Sequence, residues 1–427
     1  MSDSVFDMLG TKSFDKNDIS DEIIKKYSKE TIEESVSEIE ELIKDGLLYS
    51  KDIYKPYRDQ KTKNPPVKAL CLHMAHDCDL RCRYCFAGTG AFHGTRSLMP
   101  LWVAKKAIDF VVESSQGRRN IEIDFFGGEP VLNFDVVRQT VEYANKEGEK
   151  HNKNFRFTIT TNGLAITEEQ MKYVNENMAN IVLSCDGRKE TNDKNRKTVD
   201  GEGTYDKIID KFIKIANDRN QFNYYIRGTF TKDNLDFKDD VMHLADLGFK
   251  QISVEPAALP DSSPLAIKKE HLEAIFNDYE NLAREIIKRE VEGKDTFNFF
   301  HFMIDLANGP CALKRISGCG AGCEYLAVTP SGDIFPCHQF ADDPEFRLGN
   351  VLNDDFPTDK DKQDKFKIRD IYTINGCDTC FAKFYCSGGC AANAYQFNND
   401  INNPYDIGCA LEKKRVECAL WCKSQLS

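Results

Sequence analysis

The sequence predicts an α/β protein: a partial, open (β/α)6 barrel, a cysteine-rich C-terminal domain after it, and a small N-terminal helical segment before it. Three observations carry that reading. Apolar, β-rich runs alternate with amphipathic helical stretches through the middle of the chain. A loop Cys78-Asp79-Leu80-Arg81-Cys82-Arg83-Tyr84-Cys85 follows the first of those runs. Eleven of the sixteen cysteines fall after residue 310. The boundaries drawn from this composition are 1–64, 65–305 and 306–427.

Residues 1–64 hold no cysteine and read as charged helical segments, at Asp21–Tyr27 and Lys29–Lys44. The strand patterns of the centre are Val67–Met74, Ile121–Phe126, Phe155–Thr160, Ile181–Ser184, Tyr224–Phe230 and Gln251–Val254. Helical patterns fill the gaps around 101–114, 134–149, 167–177, 205–217 and 236–247. Repeated βα units imply a parallel sheet with right-handed crossovers. Six units are too few for an eight-fold barrel, so the barrel is partial and its site lies at the C-terminal strand ends. The triple-cysteine loop stands at such an end.

Three thiolates at Cys-x3-Cys-x2-Cys spacing suit a four-iron cluster and leave one iron without a protein ligand. A zinc site would want a fourth protein ligand. The other strand ends carry suitable groups: Gly127-Gly128-Glu129-Pro130 after the second, Thr160-Thr161-Asn162-Gly163 after the third and Ser184-Cys185-Asp186-Gly187 after the fourth. Each alone reads equally well as a tight turn. Together, at successive strand ends, they line a pocket in which Glu129 is placed to accept from an ammonium group. Arg227 on the fifth strand and Arg196 before it are candidates for a ligand carboxylate, with a structural ion pair as the competing reading.

The 427 residues exceed the size at which one core keeps growing, so two or three domains are expected. A net charge of −12 argues against a nucleic-acid surface. The lysines of 360–367 are interleaved with aspartate and read as a solvated face. The N-terminus lacks a signal-peptide pattern and no apolar run reaches transmembrane length. A cytoplasmic protein without nucleic-acid or membrane partners is expected, its clustered thiols binding metal rather than pairing.

Cys78-x3-Cys82-x2-Cys85, Gly127-Gly128-Glu129-Pro130 and the βα order resemble the radical S-adenosylmethionine superfamily. The resemblance implies that the open iron chelates S-adenosylmethionine, that Gly127, Gly128 and Glu129 hold its ammonium, and that Asn162, Ser184 and Asp186 serve its carboxylate or ribose. Tyr84 takes the position of the aromatic residue beside the adenine. Further on, Gly332-x4-Cys337, Cys377-x2-Cys380-x5-Cys386-x3-Cys390 and Cys409 resemble the SPASM domain of radical enzymes that modify ribosomally made peptides. That resemblance assigns Cys377, Cys380, Cys386 and Cys409 to a second auxiliary cluster. It assigns Cys337 and Cys390 to a first, with Cys319 and Cys323. Three [4Fe–4S] clusters follow. A zinc ribbon is the competing reading for the Cys377–Cys390 set.

The strings Ala69-Leu-Cys-Leu-His-Met-Ala-His-Asp-Cys78, Gly309-Pro-Cys-Ala-Leu-Lys-Arg315, Ser317-Gly-Cys-Gly-Ala-Gly322 and Cys380-Phe-Ala-Lys-Phe-Tyr-Cys-Ser-Gly-Gly-Cys-Ala-Ala-Asn-Ala394 resemble the maturases of six-cysteine (SCIFF) peptides. The resemblance implies thioether links between cysteine sulfur and carbon in a cysteine-rich precursor peptide, with a low-potential donor such as flavodoxin or ferredoxin. The chain departs from the pattern twice. The strand-forming part of the usual winged-helix recognition domain is missing from residues 1–64. Cys323 stands where an open auxiliary iron wants no ligand, so it either closes that cluster or is a spare thiol. Cys311 is a further candidate ligand, whereas Cys71, Cys418 and Cys422 read as core packing. The rival functions are a sulfatase-maturing type of peptide oxidase, and a non-catalytic iron–sulfur or zinc protein.

Overall fold

The computed structural model describes residues 5, 8, 14–17, 19–49, 51–58, 65–306, 311–341, 343–353 and 358–426. The chain divides into two compact units, Met1–Gln60 and Lys61–Ser427. The expected boundary at residue 64 lies outside the described residues, as does part of the Gly309–Arg315 string.

The first unit is helical: Asp21–Lys26, Lys29–Lys44 and Lys55–Arg58. Ser28 caps the longest of these, its hydroxyl accepting from the Thr31 amide at 3.1 Å. Val5, Met8 and Ile39 are buried at its centre, with Ile23, Ile32 and Val36 packed around them. Among the described residues this unit holds no strand.

The second unit is built on one sheet. Its strands are β1 (Ala69–His76), β2 (Ser97–Leu98), β3 (Asn120–Gly127), β4 (Asn154–Thr161), β5 (Asn180–Ser184), β6 (Tyr224–Phe230), β7 (Gln251–Pro256), β8 (Asn298–Phe299), β9 (Tyr325–Val328), β10 (Asp333–Phe335) and β11 (Gly349–Asn350). They lie in the order β11-β10-β9-β1-β3-β4-β5-β6-β7-β8, with β2 beside β1. From β9 across to β8 every pairing is parallel. The six expected strands are β1 and β3–β7, and the order leaves the barrel open. Helices Leu101–Ser114, Phe134–His151, Glu168–Asn177, Tyr205–Asp218 and Phe237–Asp246 make the crossovers. Thr167 starts the third of these with a capping box to Gln170. No helix among the described residues is long and apolar enough to cross a membrane.

Alternation along each strand separates core from lumen. Leu70, Leu72 and Met74 of β1 and Ile121, Ile123 and Phe125 of β3 point to the helices and are buried in the main core. Truncating such a residue to alanine costs about 2–5 kcal/mol. The residues between them face inward. On β3 to β7 the inward positions Asp124, Phe126, Thr158, Thr160, Val182, Ser184, Tyr225, Arg227 and Glu255 are half-buried or exposed, so the lumen is an open space.

The sheet does not stop at the barrel. β9, from the cysteine-rich region, pairs in parallel with β1, Cys71 opposite Ala327. A small core of Cys71, Ala87, Phe92, Ala327, Phe335 and Ala341, with Cys85 against it, joins the cysteine loop to this extension.

Candidate active site

The loop that leaves β1 is held by backbone bonds before any ligand is considered. Arg81 donates its amide to Lys197 O at 2.7 Å and Arg83 donates to Asn195 O at 3.0 Å. The Cys78 sulfur accepts from the Leu80 amide at 3.4 Å, and Asn162 Nδ2 approaches it at 3.7 Å. Burial, then the Glu129 carboxylate, raises the Cys78 thiol far above its ordinary value, with a further contribution from Cys82. Burial likewise pushes Cys82 up to about 11, helped by Asp186 and Cys85. Sulfurs so placed stay protonated unless a cation joins them, which is what a metal cluster supplies. The donor set fits a four-iron cluster with one open iron.

Gly127 and Gly128 sit where backbones meet. The Gly128 amide donates to Ala75 O at 2.7 Å and the Glu129 amide to Asp77 O at 2.8 Å. A Cβ at Gly128 would run into the Asp77 carbonyl, and one at Gly127 into that of Ala75. The approach the glycines permit is to the cysteine loop itself, where the sequence suggested a ligand. Glu129 is buried beneath them. Its Oε1 accepts from the Val131 amide (3.0 Å) and Thr161 Oγ1 (2.8 Å), and its Oε2 from the Asn162 amide (2.8 Å). Burial still lifts this carboxyl to about 7. Asn162 donates its side-chain amide to Asp79 Oδ1 at 2.7 Å, tying the end of β4 to the loop.

Tyr84 lies below. Its hydroxyl donates toward both oxygens of Asp186, and Arg196 Nη1 donates to that hydroxyl at 2.9 Å. Asp186 also accepts from the Thr229 amide at 3.1 Å. Arg227, expected to await a ligand carboxylate, is instead forked onto Glu255: Nη2 at 2.5 Å from Oε2 and Nε at 3.3 Å from Oε1. Burial opposes ionisation of Glu255, but Arg227, His301 and Arg415 hold it down to about 2. Ser184 stands opposite Arg227 at the end of β5.

The C-terminal thiols fall into sets. After burial, the charges of Cys390 and Cys319 raise the Cys337 thiol. Cys409 and Cys380 raise Cys377, which burial brings to about 11, and Cys409 and Cys377 act on Cys386. Cys319 and Cys323 line one cavity of ≈ 70 Å³ with Ala321, Phe366 and Arg369. Cys337 and Cys323 pack against the same Phe340–Phe366 cluster. Cys311 is exposed, preceding the short helix Ala312–Ser317. Cys418 and Cys422 are buried in the main core, as read from their helical spacing. No disulfide forms among the sixteen cysteines. Among the described residues no three His, Cys, Asp or Glu side chains are drawn to metal-binding distance, so the thiol sets are grouped but not closed.

Several inward groups escaped the sequence reading. His73 Nδ1 and His76 Nε2 are 2.9 Å apart, with Phe92 stacked on His76. His338, beside Cys337, packs on Phe126 with ring centroids 4.9 Å apart. Asp124 faces the lumen from β3. The available signal was a polar residue inside an apolar strand.

Comparison with known proteins agrees with this geometry. The profile of a 4Fe-4S single cluster domain matches residues 68–209. A cysteine-type anaerobic sulfatase-maturating enzyme of Clostridium novyi (strain NT) is 26% identical over 343 residues, 77% of this chain and 88% of that one. The solved structure of native anSMEcpe with bound AdoMet and Kp18Cys peptide superposes with a TM-score of 0.68 at 21% identity, covering 85% of this chain and 98% of that one. Streptococcus suis SuiB bound to precursor peptide SuiA gives a TM-score of 0.57 at 18% identity, covering 88% and 89%. Over most of its length the chain is similar in sequence to a sulfatase-maturating enzyme, and it shares the fold of anSMEcpe and SuiB.

Proposed function

We propose that this chain is a radical S-adenosylmethionine enzyme that joins a cysteine sulfur to carbon within a ribosomally made, cysteine-rich peptide. The observation that carries the reading is the sorting of thiols into three sets. Cys78, Cys82 and Cys85 stand at the barrel mouth, Cys319, Cys337 and Cys390 with Cys323 beyond β1, and Cys377, Cys380, Cys386 and Cys409 further out. Each set fits one [4Fe–4S] cluster. A peptide-bound neighbour and a precursor-bound neighbour support a peptide substrate. A reducing cytoplasm, with flavodoxin or ferredoxin as donor, is the setting in which such thiols stay unpaired.

When bound, the first cluster and S-adenosylmethionine supply a radical that removes hydrogen from a substrate carbon. The protein's part is to place and shield. The Cys78–Cys85 loop, locked to Lys197 and Asn195, orients the donor set. Gly127, Gly128 and Glu129 fix the floor beneath it, and Tyr84, Asp186 and Arg196 support it from below. Asn162, Ser184 and Arg227 line the mouth for the cofactor's polar groups, Arg227 exchanging Glu255 for a carboxylate. The lumen receives the peptide and excludes water.

A second reading is favoured by the Clostridium novyi relative and by the unpaired Asp124: a sulfatase-maturing type of oxidation of a single cysteine. Anaerobic incubation of a small cysteine-rich precursor, S-adenosylmethionine and a reductant separates them. A thioether gives loss of two hydrogens, one fewer alkylatable thiol and no carbonyl. A hydrazide-reactive aldehyde favours the second reading, and an unchanged peptide contradicts both.

A further inference from the structure

Arg369 follows the helix Lys360–Lys367 and is only 8% exposed. Among the described residues its guanidinium has no carboxylate partner and is held by main-chain carbonyls. Nε donates to Ile401 O at 2.8 Å, and Nη2 donates to Gly388 O at 2.7 Å and Gly389 O at 3.2 Å. The last two carbonyls belong to the bridge Cys386-Ser387-Gly388-Gly389-Cys390, which joins a thiol of the Cys377 set to a thiol of the Cys337 set. Three successive left-handed residues, Ser387, Gly388 and Gly389 at φ 58°, 91° and 66°, bend the bridge so that two carbonyls reach one nitrogen. The Cys319 turn closes on the same bridge: a Cβ at Gly318 would lie 3.0 Å from Ser387 O. Arg369 also lines the cavity of Cys319 and Cys323. After burial, which lowers its pKa, the groups acting on the guanidinium are Cys390 and Cys319 of one set and Cys377 and Cys386 of the other. Burying a cation without a counter-ion is costly, and an arginine stays charged, so the balancing anion must come from the thiol sets.

Resting on the reading that both of these sets hold iron–sulfur clusters, we propose that Arg369 is a positioning residue shared by the two auxiliary clusters: a fixed cation that holds the bridge between them and makes each a readier electron acceptor. The need for it follows from the redox balance of either chemistry. In thioether formation the substrate sulfur–hydrogen bond breaks and the thiol proton goes to water. The sulfur bonds to the carbon whose hydrogen has left with the 5′ carbon of the cofactor. In the sulfatase-maturing variant the same proton leaves and a carbon–sulfur double bond forms instead. Either way one electron remains, and an auxiliary cluster takes it as oxidant, gaining one negative charge. A thiolate-ligated cluster is already an anion, so a buried cation beside it favours the reduced state and raises its potential. The guanidinium acts on both sets from one position, and its bonds to the bridge keep it there.

The test compares the reconstituted wild type with Arg369→Gln and Arg369→Lys by iron content and by redox titration followed with paramagnetic resonance. Wild type should hold about twelve irons. Arg369→Gln should either lower the auxiliary potentials by about 60 mV or more, a tenfold change in the reduction constant of a one-electron couple, or lose the auxiliary irons. Arg369→Lys keeps the charge but not the fork, and it should retain the irons near the wild-type potentials. The cluster at Cys78, Cys82 and Cys85, identified by its response to S-adenosylmethionine, should keep its potential throughout. Unchanged iron and potentials in Arg369→Gln would overturn the proposal. So would an Arg369→Lys that loses iron or falls in potential as far as Arg369→Gln, because the arginine would then only brace the bridge. A wild type holding only about four irons sinks the three-cluster reading and the proposal with it, whereas about twelve irons and unmoved potentials sink the proposal alone.

Discussion

The Tyr84 hydroxyl lies 2.7 Å from each oxygen of Asp186, although Tyr84 belongs to the cysteine loop and Asp186 to the end of β5, more than a hundred residues later. Arg196, buried beside them, is 3.9 Å from Asp186 and completes a charge-balanced network under the loop. Asp186→Asn leaves that guanidinium buried without its counter-charge, which costs about 3–5 kcal/mol. Tyr84→Phe removes one hydrogen-bond donor and costs about 1–3 kcal/mol. Denaturant unfolding of the two variants should rank them in that order.

Gly128 gives a sharper handle on the loop. Because a Cβ there meets the Asp77 backbone, Gly128→Ala must push the cysteine loop away from β3. The barrel core, anchored by Ile123 and Phe125, is untouched. Iron content should fall by about four atoms per chain while far-ultraviolet dichroism stays at the wild-type level.

The Glu255–Arg227 pair predicts a pH dependence. The folded carboxyl is held at about 2 against an ordinary 4.5, so its stabilisation is fully present above pH 4.5 and is lost as pH falls toward 2. With the side chain 32% exposed, the contribution after screening is on the order of 2 kcal/mol. The stability gap between wild type and Glu255→Gln, measured by urea unfolding of the cluster-free protein, should shrink between pH 5 and pH 3.

Two kinds of cysteine should separate cleanly. Cys418 is buried against the main core, and burial, partly offset by Lys414, pushes its thiol to about 12. Cys418→Ala should cost about 1–2 kcal/mol and leave the iron count unchanged. Cys386→Ala should remove about four irons and alter the reduced paramagnetic spectrum.

Strand and helix order was legible because the barrel's units are local: Leu70-Cys71-Leu72 and Ile121-Glu122-Ile123 carry their alternation within a few residues. Spacing and resemblance together assign the cysteines to sets, while among the described residues no three of them are drawn to metal-binding distance. What stayed hidden depends on partners far apart in sequence. Arg227 reads as free until β7 brings Glu255 beside it. Gly127 and Gly128 read as a ligand cradle until the carbonyls of Ala75 and Asp77 are seen against them. Glu129 reads as an open acceptor until Thr161 and Asn162 arrive from β4. The pairing of β9 with β1 has no local signal, and it is what carries the Cys337 set up to the barrel wall.

The most direct test of the account counts cofactor against peptide. Anaerobic turnover with S-adenosylmethionine, a low-potential reductant and a cysteine-rich precursor should yield one 5′-deoxyadenosine for each pair of hydrogens lost from the peptide, with one thiol consumed per link. 5′-Deoxyadenosine formed at the same rate with and without peptide, the peptide mass unchanged, would contradict it.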